Sequence, residues 1–87
     1  MVVEINLYTE VYRRAGIRSV KVDLKDKTKL SELLFEIPVL YKALKSMERD
    51  GIPYIILVDG RYTSLEDDPI VSDGSHIKIF SPVSGGI

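Results

Sequence analysis

The residues best suited to chemistry stand at the end of the sequence, where Gly85 and Gly86 form a diglycine that only Ile87 follows. Because glycine has no Cβ, such a segment can enter a slot too narrow for other side chains and present its carbonyl to another protein's catalytic site. Glycine makes up about 7% of average sequences, so a diglycine arises by chance at a given position about once in 200. A plain disordered end is the competing interpretation.

Elsewhere the sequence offers little catalytic chemistry. It has no cysteine, which excludes a thiolate nucleophile and a cysteine metal site. Its one histidine, His76, begins a predicted strand without a second type of ligand near it in the sequence, and such residues more often lie on the surface than at a metal. No pair of carboxylates has catalytic spacing. We therefore expect neither an enzyme nor a bound metal or cofactor from this chain alone.

Composition limits the class of protein. A length of 87 residues suits one small domain, and 45% hydrophobic with 29% charged residues is typical of a folded soluble protein. No apolar run approaches the roughly 20 residues of a membrane span, and the N-terminus does not resemble a signal peptide, so we expect a cytoplasmic protein without a membrane partner. The net charge of −1 argues against nucleic acid as a partner.

Charge is nevertheless uneven along the chain. Basic residues concentrate between Arg13 and Lys29, and acidic residues concentrate between Asp59 and Asp73. Each run is interpreted first as a solvated face, and second as a patch that steers a charged protein partner.

The first half of the chain changes hydrophobic period. Residues 3–7 and 20–24 alternate between apolar and polar side chains, which predicts two strands with one buried face each. The turn-like segment 13–16 predicts that they form a hairpin. Residues 30–37 and 40–47 then carry apolar side chains at helical spacing. We expect two helices, with Thr28 capping the first, Pro38 separating them and the second ending near Gly51.

The second half predicts further strands. The β-branched run 54–58 favours an interior strand, followed by a tight turn at Asp59 and Gly60. Residues 61–73 predict a short edge strand and a long loop anchored by scattered apolar residues, namely Tyr62, Leu65, Ile70 and Val71. A turn at 73–74 leads into the last strand at 76–80, whose Ile77 and Ile79 face one way.

This order of elements fits an α+β fold of the β-grasp (ubiquitin-like) type, a mixed sheet of four to five strands packed on one or two helices. The first and last strands are expected to lie parallel in the middle of the sheet, joined through a right-handed crossover. Residues 1–81 would form the β-grasp domain and 82–87 a flexible diglycine tail. Such a tail would extend from the domain by at most ~17 Å.

Specific residues of the C-terminal half resemble the MoaD/ThiS family of ubiquitin-like sulfur carriers. The strings LVDGR (57–61) and DGSHIKIFSPVSGG (73–86) resemble the family's "V-N-G-R" turn and its terminal "D-G-D-x-V-x-x-F-P-P-V-S/A-G-G". The order of elements extends the resemblance over nearly the whole chain. The sequence of residues 82–86, PVSGG, favours the MoaD branch, whose members are small subunits of molybdopterin synthase.

The resemblance implies a sulfur relay with several partners. An adenylyltransferase of the MoeB or ubiquitin-activating type would use ATP to adenylate the carboxylate of Gly86, and sulfur would replace AMP to leave a thiocarboxylate. The large subunit of molybdopterin synthase would then receive the inserted tail through Pro82, Val83, Ser84 and Gly85. Phe80 and Arg61 are the expected contacts at the partner interface. Since Ile87 leaves Gly86 without a free carboxylate, the relay also needs a peptidase that removes it.

Three classes of function stay open at this point. The first is a sulfur carrier for molybdenum cofactor synthesis or, by the same chemistry, for tRNA thiolation. The second is a ubiquitin-like modifier that forms an isopeptide bond between Gly86 and lysines of target proteins. The third is a β-grasp binding module whose tail never reacts.

Overall fold

The computed structural model of the chain describes residues 2–82. The predicted tail residues Val83, Ser84, Gly85, Gly86 and Ile87 lie outside the described residues. In chain order, the elements are β1 (Val2–Leu7), α1 (Thr9–Ala15), β2 (Ser19–Asp23), β3 (Thr28–Lys29), α2 (Leu30–Phe35), α3 (Pro38–Arg49), β4 (Ile55–Val58), β5 (Arg61–Thr63), β6 (Ile70–Val71) and β7 (His76–Phe80).

The main sheet has five strands in the order β2-β1-β7-β4-β5. β1 and β7 pair in parallel at its centre, whereas β1 with β2, β4 with β7 and β4 with β5 pair antiparallel. β3 and β6 form a separate antiparallel pair. The predicted β-grasp fold is confirmed, including the central parallel strands.

One face of the sheet packs against the helices because alternate strand residues are apolar. Ile5 of β1 and Ile77 and Ile79 of β7 are fully buried, as the period-two pattern predicts. The helical stripe of α3 covers them with four buried side chains, namely Leu40, Ala43, Leu44 and Met47. Burying one such leucine or isoleucine contributes about 1.5–3 kcal/mol.

The predicted turn at 13–16 is wrong, because helix α1 connects β1 to β2, but the predicted antiparallel pairing of these two strands is confirmed. Val11 and Ala15 are buried one helical turn apart, and Glu10 accepts hydrogen bonds from Arg13 and Arg14 on the outer side. Gly16 then ends the helix in the left-handed conformation, with φ of 79°. Its amide donates to the carbonyl of Tyr12 over 2.9 Å.

The break between the two later helices is confirmed. Pro38 is the first residue of α3, where its missing N–H costs nothing. At the other end of α3, Gly51 has φ of 72° and donates to Glu48, while Ile52 donates to Met47. This Schellman arrangement confirms the predicted stop near Gly51.

The predicted helix cap at Thr28 is wrong. Thr28 lies in β3, Lys29 occupies the N-cap position of α2, and the cap comes from a distant loop. There Asp68 accepts hydrogen bonds from the backbone amide of Ser31 over 2.8 Å and from its hydroxyl over 2.7 Å. No local sequence pattern shows a cap that arrives from 37 residues away along the chain.

Two predicted anchors of the 61–73 segment are also wrong. Tyr62 is 77% exposed and Ile70 is 56% exposed, whereas Val71 is fully buried and Leu65 packs against the core. Tyr62 lies on the edge strand β5 that follows the predicted turn, in which Asp59 and Gly60 have φ of 51° and 82°. Both values suit a two-residue hairpin connection.

Within residues 2–82, no helix has the length and apolarity needed to cross a membrane.

Candidate functional site

The central position of β7 determines where the chain leaves the sheet. Phe80 ends β7 between β1 and β4. Ser81 is buried at 4% exposure, and Pro82 is exposed. The predicted tail therefore begins at the end of the middle strand, with its first residue already in solvent.

An apolar surface lies beside this exit, on the sheet face opposite the helices. It consists of Tyr8, Ile55, Leu57, Tyr62 and Phe80, and we call it the exit patch. Ile55 pairs with Phe80 and Leu57 with Tyr62, while the amide of Tyr8 donates to Ile79, the residue before Phe80. Tyr8 and Tyr62 are exposed and the other three are half-buried. Clustered apolar residues on the surface of a small protein commonly mark an interaction site.

Polar residues flank the exit patch on β7. Lys78 is exposed and pairs with Leu57 across the sheet. His76, two residues earlier, lies 3.4 Å from a carboxylate oxygen of Glu4 through its Nδ1. The surface beside the exit thus combines an apolar centre with a polar margin, as protein-binding surfaces do.

Ser81 is held in place by the first residue of α1. Its amide donates to the Thr9 hydroxyl over 2.8 Å, and the same hydroxyl donates to the carbonyl of Tyr8 over 2.8 Å. Thr9 has φ of 53°, which is unusual for a β-branched residue. The chain is therefore anchored one residue before Pro82.

Comparison with known protein families identifies the chain. The profile of the ThiS family matches residues 5–86, which include nearly all of the sheet and the diglycine. The chain belongs to the ThiS family. No curated protein sequence matches it significantly.

Solved structures share this fold over almost their whole length. The chain is similar to the crystal structure of SAMP1 from Haloferax volcanii, with a TM-score of 0.75, 26% identity, and coverage of 99% of this chain and 100% of that one. It is also similar to a putative molybdopterin converting factor subunit 1 from Pyrococcus furiosus, with a TM-score of 0.70, 23% identity and coverage of 95% and 99%. It is also similar to a chain in the complex of subunits 1 and 2 of the molybdopterin-converting factor from Helicobacter pylori. That match has a TM-score of 0.59 and 22% identity, and it covers 99% of this chain and 100% of that one.

The structure does not bring together the two residues predicted for the partner interface of this ThiS-family chain. Phe80 pairs with Ile55 beside the exit, whereas Arg61 pairs with Val58 at the other end of β4. Ile55 and Val58 are three positions apart on β4, which is about 10 Å along the strand. Arg61 instead lines a cavity of about 530 Å³ that includes Pro69. An interface role for Arg61 stays a prediction.

His76 has a structural setting in this ThiS-family fold. It is exposed at the start of β7, where its amide donates to a side-chain oxygen of Asp59 over 2.8 Å and its carbonyl accepts from the Asp59 amide over 2.8 Å. These bonds join β7 to the hairpin turn. Among residues 2–82, no group of three or more histidine, aspartate or glutamate side chains has a geometry that could hold a metal ion.

A cavity of about 590 Å³ lies on the helical side, away from the exit patch. Leu34 and Leu44 line it together with the exposed Phe35, whose ring meets Tyr41 edge-on at 5.0 Å between centroids. No residue of the exit patch lines this cavity. We place the candidate site at the exit patch, because the described chain leaves the fold there.

Parts of both charged runs stabilise the fold. Arg14 donates hydrogen bonds to Glu10, to the hydroxyl of Ser46 and to Asp50, and so ties α1 to α3. The hydrogen bonds from Arg14 hold the pKa values of the Glu10 and Asp50 carboxyls below their ordinary range. In the acidic run, the hydrogen bonds from Ser31 lower the pKa of Asp68. These residues position elements of the fold and do not belong to the site.

Sequence reasoning missed most of the exit patch. The run 54–58 predicted an interior strand, but its period-two alternation also places Ile55 and Leu57 on the face opposite the buried Ile56. That alternation was the available signal. No signal in the sequence pointed to Thr9, because its contact with Ser81 joins residues 72 positions apart.

Proposed function

We propose that this chain is a sulfur carrier that acts through the carboxylate of Gly86 after Ile87 has been removed. An adenylyltransferase of the ubiquitin-activating type, which uses ATP, would activate Gly86 and convert it to a thiocarboxylate. The sulfur would then go to molybdopterin synthesis in the large subunit of the synthase. One observation carries this proposal: the central strand β7 ends beside an exposed apolar patch, five residues before Gly85 in a ThiS-family chain.

The chemistry requires a free, reachable carboxylate. An ionised carboxylate is a poor acyl donor, and transfer of AMP to it creates a good leaving group. A sulfur nucleophile then expels AMP and leaves sulfur covalently bound to the Gly86 carbonyl. Because the sulfur stays tethered to its carrier, delivery gains an effective concentration that free sulfide lacks.

The extent of the family match supports the removal of Ile87. The match to the ThiS family ends at Gly86 and leaves Ile87 outside it. A branched side chain at this place would not pass through a channel built for glycine. A peptidase that cleaves the Gly86–Ile87 bond would produce the carboxylate that adenylation needs.

In this proposal the partners supply the catalytic groups. Subunits 1 and 2 of the Helicobacter pylori factor form a complex, and a chain of that complex shares this fold. The exit patch offers a matching surface next to the tail on which a large subunit or an adenylyltransferase would dock. The chain itself then acts as a non-catalytic carrier that needs no bound cofactor.

Intact mass spectrometry of protein isolated from the native host tests the proposal. We expect loss of one isoleucine together with replacement of one oxygen by sulfur, and the thiocarboxylate should disappear when Gly86 is deleted. An unaltered mass in cells that are making molybdenum cofactor would contradict the proposal. Protein from cells lacking the adenylyltransferase gene is the matched control, and it should retain oxygen at Gly86.

A second candidate is a protein modifier joined through Gly86 to target lysines. The observation in its favour is the likeness to Haloferax volcanii SAMP1, whose name stands for small archaeal modifier protein 1. That structure has a TM-score of 0.75 at 26% identity. The same activated Gly86 would here react with an amine. Lysine-linked conjugates that carry residues 79–86, the remnant left by tryptic cleavage after Lys78, would support this function, as would their loss in a Gly86 deletion. Thiolated tRNA that depends on the chain would instead identify tRNA as the sulfur acceptor.

A further inference from the structure

We propose that Thr9 is a positioning residue that fixes the point and direction from which the C-terminal tail leaves the domain. This inference rests on the proposed function only in its consequence for activation of Gly86. The anchoring itself follows from contacts among described residues. They lie at the junction between the central ladder and the chain that follows it.

The first step concerns the end of the parallel ladder. The amide of Tyr8 donates to the carbonyl of Ile79 over 3.0 Å. In a regular parallel ladder, the amide of Ser81 would next donate to the carbonyl of Tyr8. It donates instead to the Thr9 hydroxyl over 2.8 Å, and that hydroxyl lies 2.8 Å from the Tyr8 carbonyl. Thr9 is thus inserted into the ladder as a bridge.

The bridge lengthens the last step of the ladder and satisfies each polar group in it. The Thr9 hydroxyl accepts one hydrogen bond and donates one, which matches its single proton and its lone pairs. It also lies 3.3 Å from the carbonyl oxygen of Ser81. The bridge therefore replaces a direct backbone bond by a side-chain spacer, and β7 can separate from β1 here without leaving a buried amide unpaired.

The backbone of Thr9 is held in a costly conformation at this place. Its φ of 53° is rarely adopted by a β-branched residue. Such conformations persist where the surrounding structure imposes them, and they concentrate at functional positions. Here the conformation coincides with the start of α1, where the chain turns away from β7.

The bridge determines how the tail is presented. Ser81 is buried at 4% exposure, while Pro82 is exposed and its ring fixes its own φ. We call the Ser81–Pro82 junction, adjacent to the exit patch, the pivot, because it is the last position that the described contacts fix. A partner that binds the patch meets a tail of fixed origin, which raises the effective concentration of Gly86 at its active site. Loss of the bridge would move the pivot back towards Phe80.

Two labelled cysteines test the pivot directly, because the chain has no cysteine of its own. Spin labels at Lys21→Cys on β2 and Ser84→Cys in the tail report the distribution of distances between the domain and the tail. We expect Thr9→Val, which keeps the shape and removes the hydroxyl, to broaden the distribution and to speed amide exchange of Ser81 at least tenfold. Thr9→Ser should restore both, and Thr28→Val is the matched control. Unchanged distances and exchange in Thr9→Val would overturn the proposal.

The consequence for activation is measured with chains that end at Gly86 and a ubiquitin-activating-type adenylyltransferase from the same host. We expect Thr9→Val to lower kcat of pyrophosphate exchange about tenfold with KM nearly unchanged, because the exit patch is intact and only the position of the tail is altered. A merely structural role would change the melting temperature and leave kcat unaltered below it, and that result would overturn the positioning role. If the unmodified chain is not adenylated at all, the proposed function fails, and the distance distributions still decide whether Thr9 sets the pivot.

Discussion

Asp68 is a carboxylate that caps a helix to which it does not belong. It reaches the start of α2 from the loop before β6 and accepts two hydrogen bonds from Ser31. Its own φ of 44° is left-handed, a conformation that aspartate and asparagine tolerate better than most residues. This single side chain therefore joins the acidic loop to the helical layer.

The lowered pKa of Asp68 predicts a pH dependence of stability. The hydrogen bonds from Ser31 hold the folded-state pKa below the ordinary value of 3.8, so the unfolded state binds the proton more readily. The contribution of ionised Asp68 to the free energy of unfolding is fully present above about pH 5, and it is lost as the pH falls through the lowered pKa. Asp68→Asn keeps the left-handed preference and removes the charge.

Thermal unfolding from pH 7 to pH 2.5 measures this effect. The difference in melting temperature between the native chain and Asp68→Asn should be a few degrees at neutral pH and should shrink towards zero below about pH 4. The neighbouring exposed Asp67→Asn is the matched control and should show no such difference. A difference that grows on acidification would contradict the assignment.

Tyr62 provides a second prediction at the scale of residues. It is 77% exposed, so Tyr62→Ser should leave the melting temperature almost unchanged. If the exit patch docks the adenylyltransferase, the same change should weaken binding about tenfold, as loss of an interface aromatic often does. Phe35→Ser removes an exposed apolar side chain on the helical side, away from the patch, and should leave binding unaltered. Equal losses of affinity for the adenylyltransferase in the two variants, measured by titration, would argue against the exit patch as its docking site.

At the scale of elements, the period of the hydrophobic pattern decided which predictions were correct. Strands β1, β2, β4 and β7 and the break before α3 were predictable, because each depends on alternation, helical spacing or a proline within a few residues. Helix α1 was not predicted, because its seven residues carry only two buried positions and its arginines suggested a turn. The pairing of β3 with β6 and the exit patch depend on registers between distant segments, which no local pattern specifies.

Gly16 ends α1 before β2 in a left-handed conformation, so replacing it should destabilise the fold. A Cβ built at Gly16 would meet nothing within 4 Å, so Gly16→Ala tests the backbone conformation alone. With φ of 79°, alanine should reduce the free energy of unfolding by about 1 kcal/mol. Asparagine at the same position should recover part of the loss. Urea denaturation with an unchanged m-value measures it, and a neutral alanine variant would show that the helix end can rearrange.

At the scale of the whole molecule, the elements and the core of the described fold are complete before the chain reaches the predicted reactive residue, Gly86. Among residues 2–82, the buried apolar core ends at Ile79 and the last buried residue is Ser81. A variant that lacks residues 85–87 should therefore unfold at the same temperature as the full chain and should not be adenylated. A variant that ends at Ser75 lacks β7 and should not fold, as circular dichroism would show. Melting of the first variant would mean that the diglycine is part of the core, and would contradict the proposed tail.

The central place of β7 also governs how the protein is made. β7 is the last strand of the described chain, yet within the described sheet the β1–β2 pair and the β4–β5 pair are joined only through it. A nascent chain on the ribosome cannot join the early and late halves of the sheet until residue 80 has emerged, so the sheet closes only after β7 has been synthesised. Products that end before β7 lack the middle strand of the sheet and stay open to proteolysis. Every copy that folds therefore already contains Phe80, five residues before its diglycine.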